Sequence, residues 1–270
     1  MADLETWKTD RVMVARLNRP EQKNALSEEL LDLLRDALLA ANEDPDVGCF
    51  VITGAGDAFC AGGDLGRRAK ESAESAESAA GDPTPLERRT RLLKVTHKVA
   101  LAVEQFEKPL IAAVNGAAVG AGMDLALMCD LRVANTSARF SEGYIRVGLI
   151  PGNGGCYFLP RLLGLARALE LLWTGDFVGA DEALKIGLVN HVYGNDDFMA
   201  QVLALAGRLA NGPPVQMRDI KKLTYQGLHI DLRTSLESAA AQSAIVQSTA
   251  DYKEAMSAFK EKRSPKFQGR

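Results

Sequence analysis

The stretch Leu110-Ile111-Ala112-Ala113-Val114-Asn115-Gly116-Ala117-Ala118-Val119-Gly120-Ala121-Gly122-Met123-Asp124 decides how the rest of the chain is read. Leu110 to Val114 is a short, wholly apolar run and predicts a buried strand. The Gly/Ala run behind it removes side chains where a ligand must approach the backbone, and N–H groups at a helix N-terminus suit an anionic oxygen. A second stretch of the same kind, Phe59-Cys60-Ala61-Gly62-Gly63-Asp64-Leu65, lies about sixty residues upstream. For either alone, a tight turn with close helix–strand packing is the competing explanation. Neither is a dinucleotide fingerprint, because Gly120-Ala121-Gly122 lacks a third Gly at the required spacing. A phosphate-binding G-x-x-x-x-G-K-[ST] loop and a G-x-S-x-G nucleophile elbow are both absent.

Outward from these stretches, strands and helices alternate. Val12 to Leu17 and Cys49 to Thr53 predict two further strands, Leu131 to Ala134 another, and Leu188 to Val192 a fifth. Ser27 followed by Glu28 and Glu29 marks a helix start. Leu30, Leu31, Leu34, Leu38 and Ala41 then recur at helical spacing, and Pro45 closes the helix. Thr84-Pro85-Leu86-Glu87 is a capping box opening a helix that is expected to run to about Glu107, before Pro109. Ala69 to Gly81 is a Glu/Ser/Ala low-complexity stretch, an exposed helix or a mobile lid. From Phe198 onward the chain reads as helices only. Repeated strand–loop–helix units of this kind define a mixed α/β protein.

Bulk properties narrow the function classes. The 270 residues are 47% hydrophobic and 25% charged, enough for a sizeable core. A net charge of −3 argues against non-specific nucleic-acid binding. Met1 to Arg19 lacks the apolar core of a signal peptide, and no apolar run reaches the roughly 18 residues of a membrane span. Cys49, Cys60, Cys129 and Cys156 are far apart, which predicts buried free thiols in a reducing cytoplasm and neither a disulfide framework nor a metal site.

The two glycine-rich stretches, in this order and spacing, resemble the paired oxyanion-hole segments of the crotonase (enoyl-CoA hydratase/isomerase) superfamily. Further similar motifs run the length of the chain: Leu17-Asn18-Arg19-Pro20 with Asn24-Ala25-Leu26, Cys129-Asp130-Leu131-Arg132, Val147-Gly148-Leu149-Ile150-Pro151-Gly152, Leu172-Trp173-Thr174-Gly175, Ala183 to Val189, and Phe259-Lys260-Glu261-Lys262-Arg263. The resemblance implies a spiral of repeated ββα units over residues 1–197. It also implies a C-terminal helical trimerisation segment over 198–270, and assembly as a homotrimer or a dimer of trimers.

The resemblance further implies an acyl-CoA substrate and no separate cofactor, coenzyme A being part of the substrate. The thioester oxygen would be held by the backbone N–H groups of Gly63 and Ala121, the latter standing where Gly is usual. Asp124 stands where the family places its first catalytic carboxylate. Tyr144 stands where hydratases place a second glutamate, so that acid is missing. Glu142 is the nearest remaining carboxylate. If Phe140 to Tyr144 is extended, Glu142 and Tyr144 share a side; otherwise Glu142 is a surface charge or a partner of Arg146. His97 corresponds to a catalytic histidine of related dehalogenases, but the nucleophilic aspartate of those enzymes is replaced by Gly152. His97 is therefore either a proton carrier or a structural histidine. Lys23, Ala61, Arg67, Phe259 and Lys262 correspond to coenzyme A-binding positions.

The activity so implied is addition of water to a 2-enoyl-CoA. The alternatives are double-bond isomerisation, which needs only one carboxylate, thioester or C–C hydrolysis, and a catalytically weak acyl-CoA binder. Arg88, Arg89, Arg91, Lys94 and Lys98 form a basic run like the RNA-binding helix of some relatives. Their charges spread around the helix, so neither a nucleic acid nor a membrane is an expected partner.

Overall fold

A computed structural model describes residues 2–64 and 83–270; Arg67 and the low-complexity stretch lie outside it. The first strands are β1 (Leu4–Thr9) and β2 (Val12–Leu17), followed by α1 (Glu28–Glu43), β3 (Cys49–Gly54) and β4 (Ala58–Cys60). Next come α2 (Pro85–Arg91) and α3 (His97–Glu104), joined by one wide turn at Leu92–Thr96. Then follow β5 (Leu110–Val114), β6 (Ala117–Val119), α4 (Ala121–Met128), β7 (Leu131–Asn135) and β8 (Arg139–Ser141). After these stand α5 (Gly155–Leu163), α6 (Leu165–Thr174), β9 (Val178–Gly179), α7 (Ala180–Lys185) and β10 (His191–Tyr193). Helices α8 (Phe198–Ala210), α9 (Pro214–Gly227), α10 (Leu232–Ser248) and α11 (Ala250–Glu261) complete the chain.

Side-chain alternation builds two cores from one sheet. The larger sheet has the order β1-β2-β3-β5-β7-β10, parallel except for the β1–β2 pair. Successive strand residues point to opposite faces. Val12, Val14, Cys49, Val51, Ile111 and Ala113 therefore meet Phe198, Val202, Ala206 and Ala210 of α8 on one side. Ala15, Leu17, Phe50, Ile52, Leu110 and Ala112 meet Leu30, Leu34 and Leu38 of α1 on the other. Strands covered on both faces carry no polar alternation, which is why Cys49–Thr53 and Leu110–Val114 read as continuous apolar runs.

The spiral arises because each long strand is followed by a short one that steps into a second sheet. That sheet has the order β4-β6-β8-β9, and β4, β6 and β8 run parallel, as do β3, β5 and β7. The pairs β3–β4, β5–β6 and β7–β8 are thus successive turns of one ββα coil, as the family resemblance implied. Sequence capping signals hold: Ser27 Oγ accepts from Leu30 N at 3.1 Å, and Thr84 and Glu87 cap each other reciprocally.

The fifth strand differs from expectation. Leu188 and Val189 are buried in the turn that precedes it, and only His191–Tyr193 pairs with β7. The stretch β1 escapes sequence reading because its outward residues are polar and exposed at a sheet edge. Among the described residues no helix is long and apolar enough to cross a membrane.

Candidate active site

The two glycine-rich stretches meet where the spiral brings β4 beside β6. Gly62 has φ +96°, and a methyl group there would lie 2.7 Å from the Val119 carbonyl oxygen and 3.4 Å from the Ala121 nitrogen. At Gly122 a methyl would lie 2.1 Å from the Cys60 carbonyl oxygen, so only glycine lets the first turn of α4 press onto the end of β4. Gly120 takes the positive φ, +51°, and leaves Ala121 as the first helical residue, where a methyl group is harmless. The first N–H groups of a helix have no intrahelical acceptor. Among the described residues neither the Ala121 N–H nor the Gly63 N–H donates to a protein acceptor. Two free backbone donors therefore stand at one seam.

One turn along α4, the Asp124 side chain is fully buried (0% exposed). Its Oδ2 accepts a hydrogen bond from the Tyr144 hydroxyl at 2.5 Å, while Oδ1 has no partner beyond the neighbouring Glu142 carboxyl. Glu142 is 1% exposed, and among the described residues its oxygens have no hydrogen-bond partner beyond Asp124. Gly155 gauges how close the two carboxyl groups are. A methyl placed on it would lie 2.6 Å from Asp124 Oδ1 and 2.9 Å from both Glu142 oxygens. Two acids thus crowd one small space.

Crowding and burial together set the protonation. Desolvation pushes the Asp124 carboxyl up to about 6, against the Tyr144 hydrogen bond that favours its ionised form. A hydrogen bond from the Glu142 carboxyl lowers it next, and the amides of Asn153 and Gly155 lower it less. Glu142 is pushed further, to about 9, by desolvation first and by the Asp124 charge second. The two groups titrate as a pair holding one proton over the interval between. Burial and the same charge raise the Tyr144 phenol far above its usual range, so its hydroxyl is a fixed donor.

This arrangement corrects two expectations. Glu142 is not a surface charge, and Arg146 pairs with Asp176 at 2.8 Å instead. Nor is Phe140 to Tyr144 extended, since β8 ends at Ser141 and Gly143–Val147 is a 3-10 turn. That turn sends Glu142 and Tyr144 to Asp124 together. Asn153, which the sequence offers only as a non-acidic residue where some relatives carry an aspartate, joins them: its Nδ2 lies 3.4 Å from the Tyr144 hydroxyl and its buried Oδ1 has no partner among the described residues. The Gly154-Gly155 doublet was the available signal that something packs closely there.

The remaining candidates scatter. His97 Nε2 lies 2.7 Å from the Gly152 carbonyl oxygen, one residue from Asn153, and contacts neither carboxylate through a hydrogen bond. Lys23 is exposed, ion-paired with Asp57 at 2.8 Å, and its carbonyl accepts from Ala61 N at 2.9 Å. Phe259 is exposed near the end of α11 and Lys262 caps that helix. Among the described residues no hydrogen bond or ion pair links either to the glycine-rich loops. In the basic run, Arg91 pairs with Glu28 and Lys98 with Asp32, as on an ordinary solvated helix. Cys49, Cys60 and Cys129 are buried free thiols as expected, but Cys156 is exposed.

Free backbone donors beside buried carboxyl groups, carried on a ββα spiral, define a class of protein that handles oxyanions and protons together. Comparison with known proteins gives that class its name: residues 8–270 match the enoyl-CoA hydratase/isomerase family, and the chain belongs to it, within the crotonase superfamily. The chain is 37% identical to crotonyl-CoA hydratase of Syntrophomonas wolfei, over 96% of its own length and 95% of the relative's. It is 35% identical to 1,2-epoxyphenylacetyl-CoA isomerase of Escherichia coli, over 96% and 95%. A crystal structure of enoyl-CoA hydratase from Bacillus anthracis superposes with a TM-score of 0.90 at 35% identity, covering 99% of this chain and all of that one.

Proposed function

We propose that the chain adds water to a 2-enoyl-CoA, and removes it in reverse, with Gly63 and Ala121 holding the thioester oxygen. Attack of water on Cβ moves negative charge onto that oxygen as an enolate. Preorganised donors are worth about 3–4 kcal/mol each against the barrier of such a step. Asp124, the more acidic partner, accepts the proton of the attacking water. Glu142 holds the proton that the enolate takes up at Cα, and the pair then redistributes its remaining proton, so the proton count is restored each turnover. Tyr144 fixes the Asp124 carboxylate and takes no proton itself.

The carrying observation is the burial of Asp124 and Glu142 side by side in one small space, 2.6 and 2.9 Å from a methyl placed on Gly155. The pair supplies the acid and the base that the replacement of the second glutamate by Tyr144 seemed to remove. The test is hydration of crotonyl-CoA, followed by loss of the absorbance of the conjugated thioester. Absence of turnover with any 2-enoyl-CoA rejects the proposal.

A second reading is favoured by the same pair, because one shared proton suffices to move a double bond. Conversion of a 3-enoyl-CoA to the conjugated isomer without hydration would establish it. In either case coenzyme A enters as part of the substrate and no other cofactor takes part. Residues 198–270 serve assembly into a trimer or a dimer of trimers, with Lys262 reaching a neighbouring subunit and Phe259 lining an acyl pocket. Lys23, Ala61 and Arg67 contact coenzyme A, and the protein works in the cytoplasm.

A further inference from the structure

A cavity of about 950 Å³ lies between α3, the Gly152–Leu162 stretch and α9. One part of its wall lies beside the candidate active site: it includes His97, Gly152 and Asn153, and Asn153 Nδ2 stands 3.4 Å from the Tyr144 hydroxyl, while the two carboxyl groups themselves do not line it. Its middle is apolar, with Leu101, Leu127, Met128 and Phe158 in the lining. Arg132, Arg218, Lys221 and Lys222 line it together with the acids Glu104, Glu107 and Asp130; Arg218 pairs with Glu107 and Lys221 with Asp130, which leaves Arg132 and Lys222 without an ion-pair partner among the described residues.

Arg132 is the more unusual of these two. It projects from β7, is 4% exposed, and makes no ion pair among the described residues. Its Nε donates to the Leu188 carbonyl at 2.8 Å and its Nη1 to the Cys129 carbonyl at 2.6 Å. The second terminal nitrogen, Nη2, donates to no described protein group. Asp130, the nearest acid in the sequence, is already engaged by Lys221 Nζ (2.8 Å), Leu110 N (2.8 Å) and the Tyr225 hydroxyl (3.0 Å). A buried guanidinium held by two carbonyls, with a donor to spare and no carboxylate bound to it, is suited to an incoming carboxylate. Lys222 adds an exposed positive charge at the rim.

We infer that this cavity receives the distal end of the acyl chain and that Arg132 binds a carboxylate there. The substrate class is then the coenzyme A thioester of an unsaturated dicarboxylic acid. This deepens the acyl-CoA reading proposed above and rests on it. An apolar passage ending in a buried arginine accepts a methylene chain along its length and an anion only at its end. A site that hydrogen-bonds a terminal polar group discriminates against the chain lacking it.

Binding of non-reacting saturated thioesters separates this inference from the reaction itself. By calorimetry, adipyl-CoA is expected to bind the wild-type protein about tenfold or more tightly than hexanoyl-CoA, and free adipate far more weakly than either. Arg132→Met should collapse the preference. Because that variant removes a buried anchor of the β7 region, Lys222→Glu at the exposed rim provides a second probe, expected to reduce the preference severalfold. Equal affinity of the two thioesters for the wild-type protein overturns the inference, and so does an unchanged preference in Lys222→Glu and folded Arg132→Met together. Adipate bound as tightly as adipyl-CoA also overturns it, by marking an anion site separate from the acyl chain. A preference that persists without turnover of any enoyl thioester leaves the carboxylate subsite standing and rejects the proposed reaction instead.

Discussion

The Gly63–Ala121 donors and the Asp124–Glu142 pair lie about one helical turn apart, yet they are built from opposite materials. The donors belong to the backbone. They are aimed by the register of β4 against β6 and by Gly62 and Gly122, which let two chain segments touch. Nothing about them depends on which side chain Ala121 carries. The acids are side chains, buried side by side, and they are held where both would rather be neutral. The first half is stable by construction at Ala121, whose free N–H is one that any helix start leaves over. The second half is held against its own electrostatics by the surrounding fold. Substitutions should therefore divide sharply by half: the donors fail only when the backbone changes, the acids when a single atom does.

The largest effect is expected at Asp124, the base of the pair. Asp124→Asn keeps the shape and one acceptor for Tyr144 but removes the proton acceptor. Hydration of crotonyl-CoA should fall about a thousandfold, within the range for loss of a general base. Intact activity in this variant would dissolve the assignment of the whole half.

The backbone half is broken by proline and not by glycine. Proline is accepted at the first position of a helix, where its missing N–H serves no helical bond. Ala121→Pro thus deletes one donor with the helix retained, and kcat should drop about a hundredfold or more. Ala121→Gly keeps the backbone N–H and should leave kcat/KM within about threefold. If both variants behave alike, the oxygen is not held at Ala121.

Glu142→Gln discriminates between acid and bystander and has a signature in stability. The folded protein raises the Glu142 pKa well above the ordinary carboxylate range, so it favours the protonated form. Its ionisation opposes folding. The contribution of Glu142 to stability is fullest below the ordinary carboxylate pKa and is lost as pH rises toward about 9. Glutamine does not ionise, so the variant should gain at least about 1 kcal/mol over the wild type at pH 9 and little at pH 5, measured by denaturant unfolding. Its kcat should fall about a hundredfold, and the alkaline limb of the rate profile should disappear. A variant equally stable at both pH values, with normal kcat, would make Glu142 a spectator.

The two halves also differ in how plainly the sequence displays them. The requirement for bare backbone restricts residue type, so Gly62-Gly63 and Gly120-Ala121-Gly122 advertise themselves locally. The double-sided sheet does the same through Cys49–Thr53 and Leu110–Val114, where burial on both faces erases polar residues. Glu142 carries no such mark. Its role depends on a 3-10 turn after β8 that overrides strand alternation, and on Gly155 arriving from a segment thirteen positions later in sequence. Arg132 and Asn153 are illegible for the same reason: burial and missing partners are properties of the folded surroundings.

The smallest expected effect, at Tyr144, is also the finest probe of how the acids are tuned. At Tyr144, where the family resemblance implies a second glutamate, a phenol donates to Asp124 at 2.5 Å and does not ionise in the working range. That hydrogen bond favours the ionised carboxylate and so opposes the desolvation that raises the Asp124 pKa. Tyr144→Phe removes the donor and leaves the ring. Asp124 should then hold its proton to higher pH, which moves the acid limb of the kcat/KM profile upward from about 6. At neutral pH a larger fraction of the base is occupied, giving a loss of about tenfold or less that raised pH restores in part. A proton donor at Tyr144 would instead give a loss that no pH recovers, with the limbs unmoved. The direction of that limb therefore decides whether the residue standing in the second acid's place has inherited its task or only steadies the acid that remains.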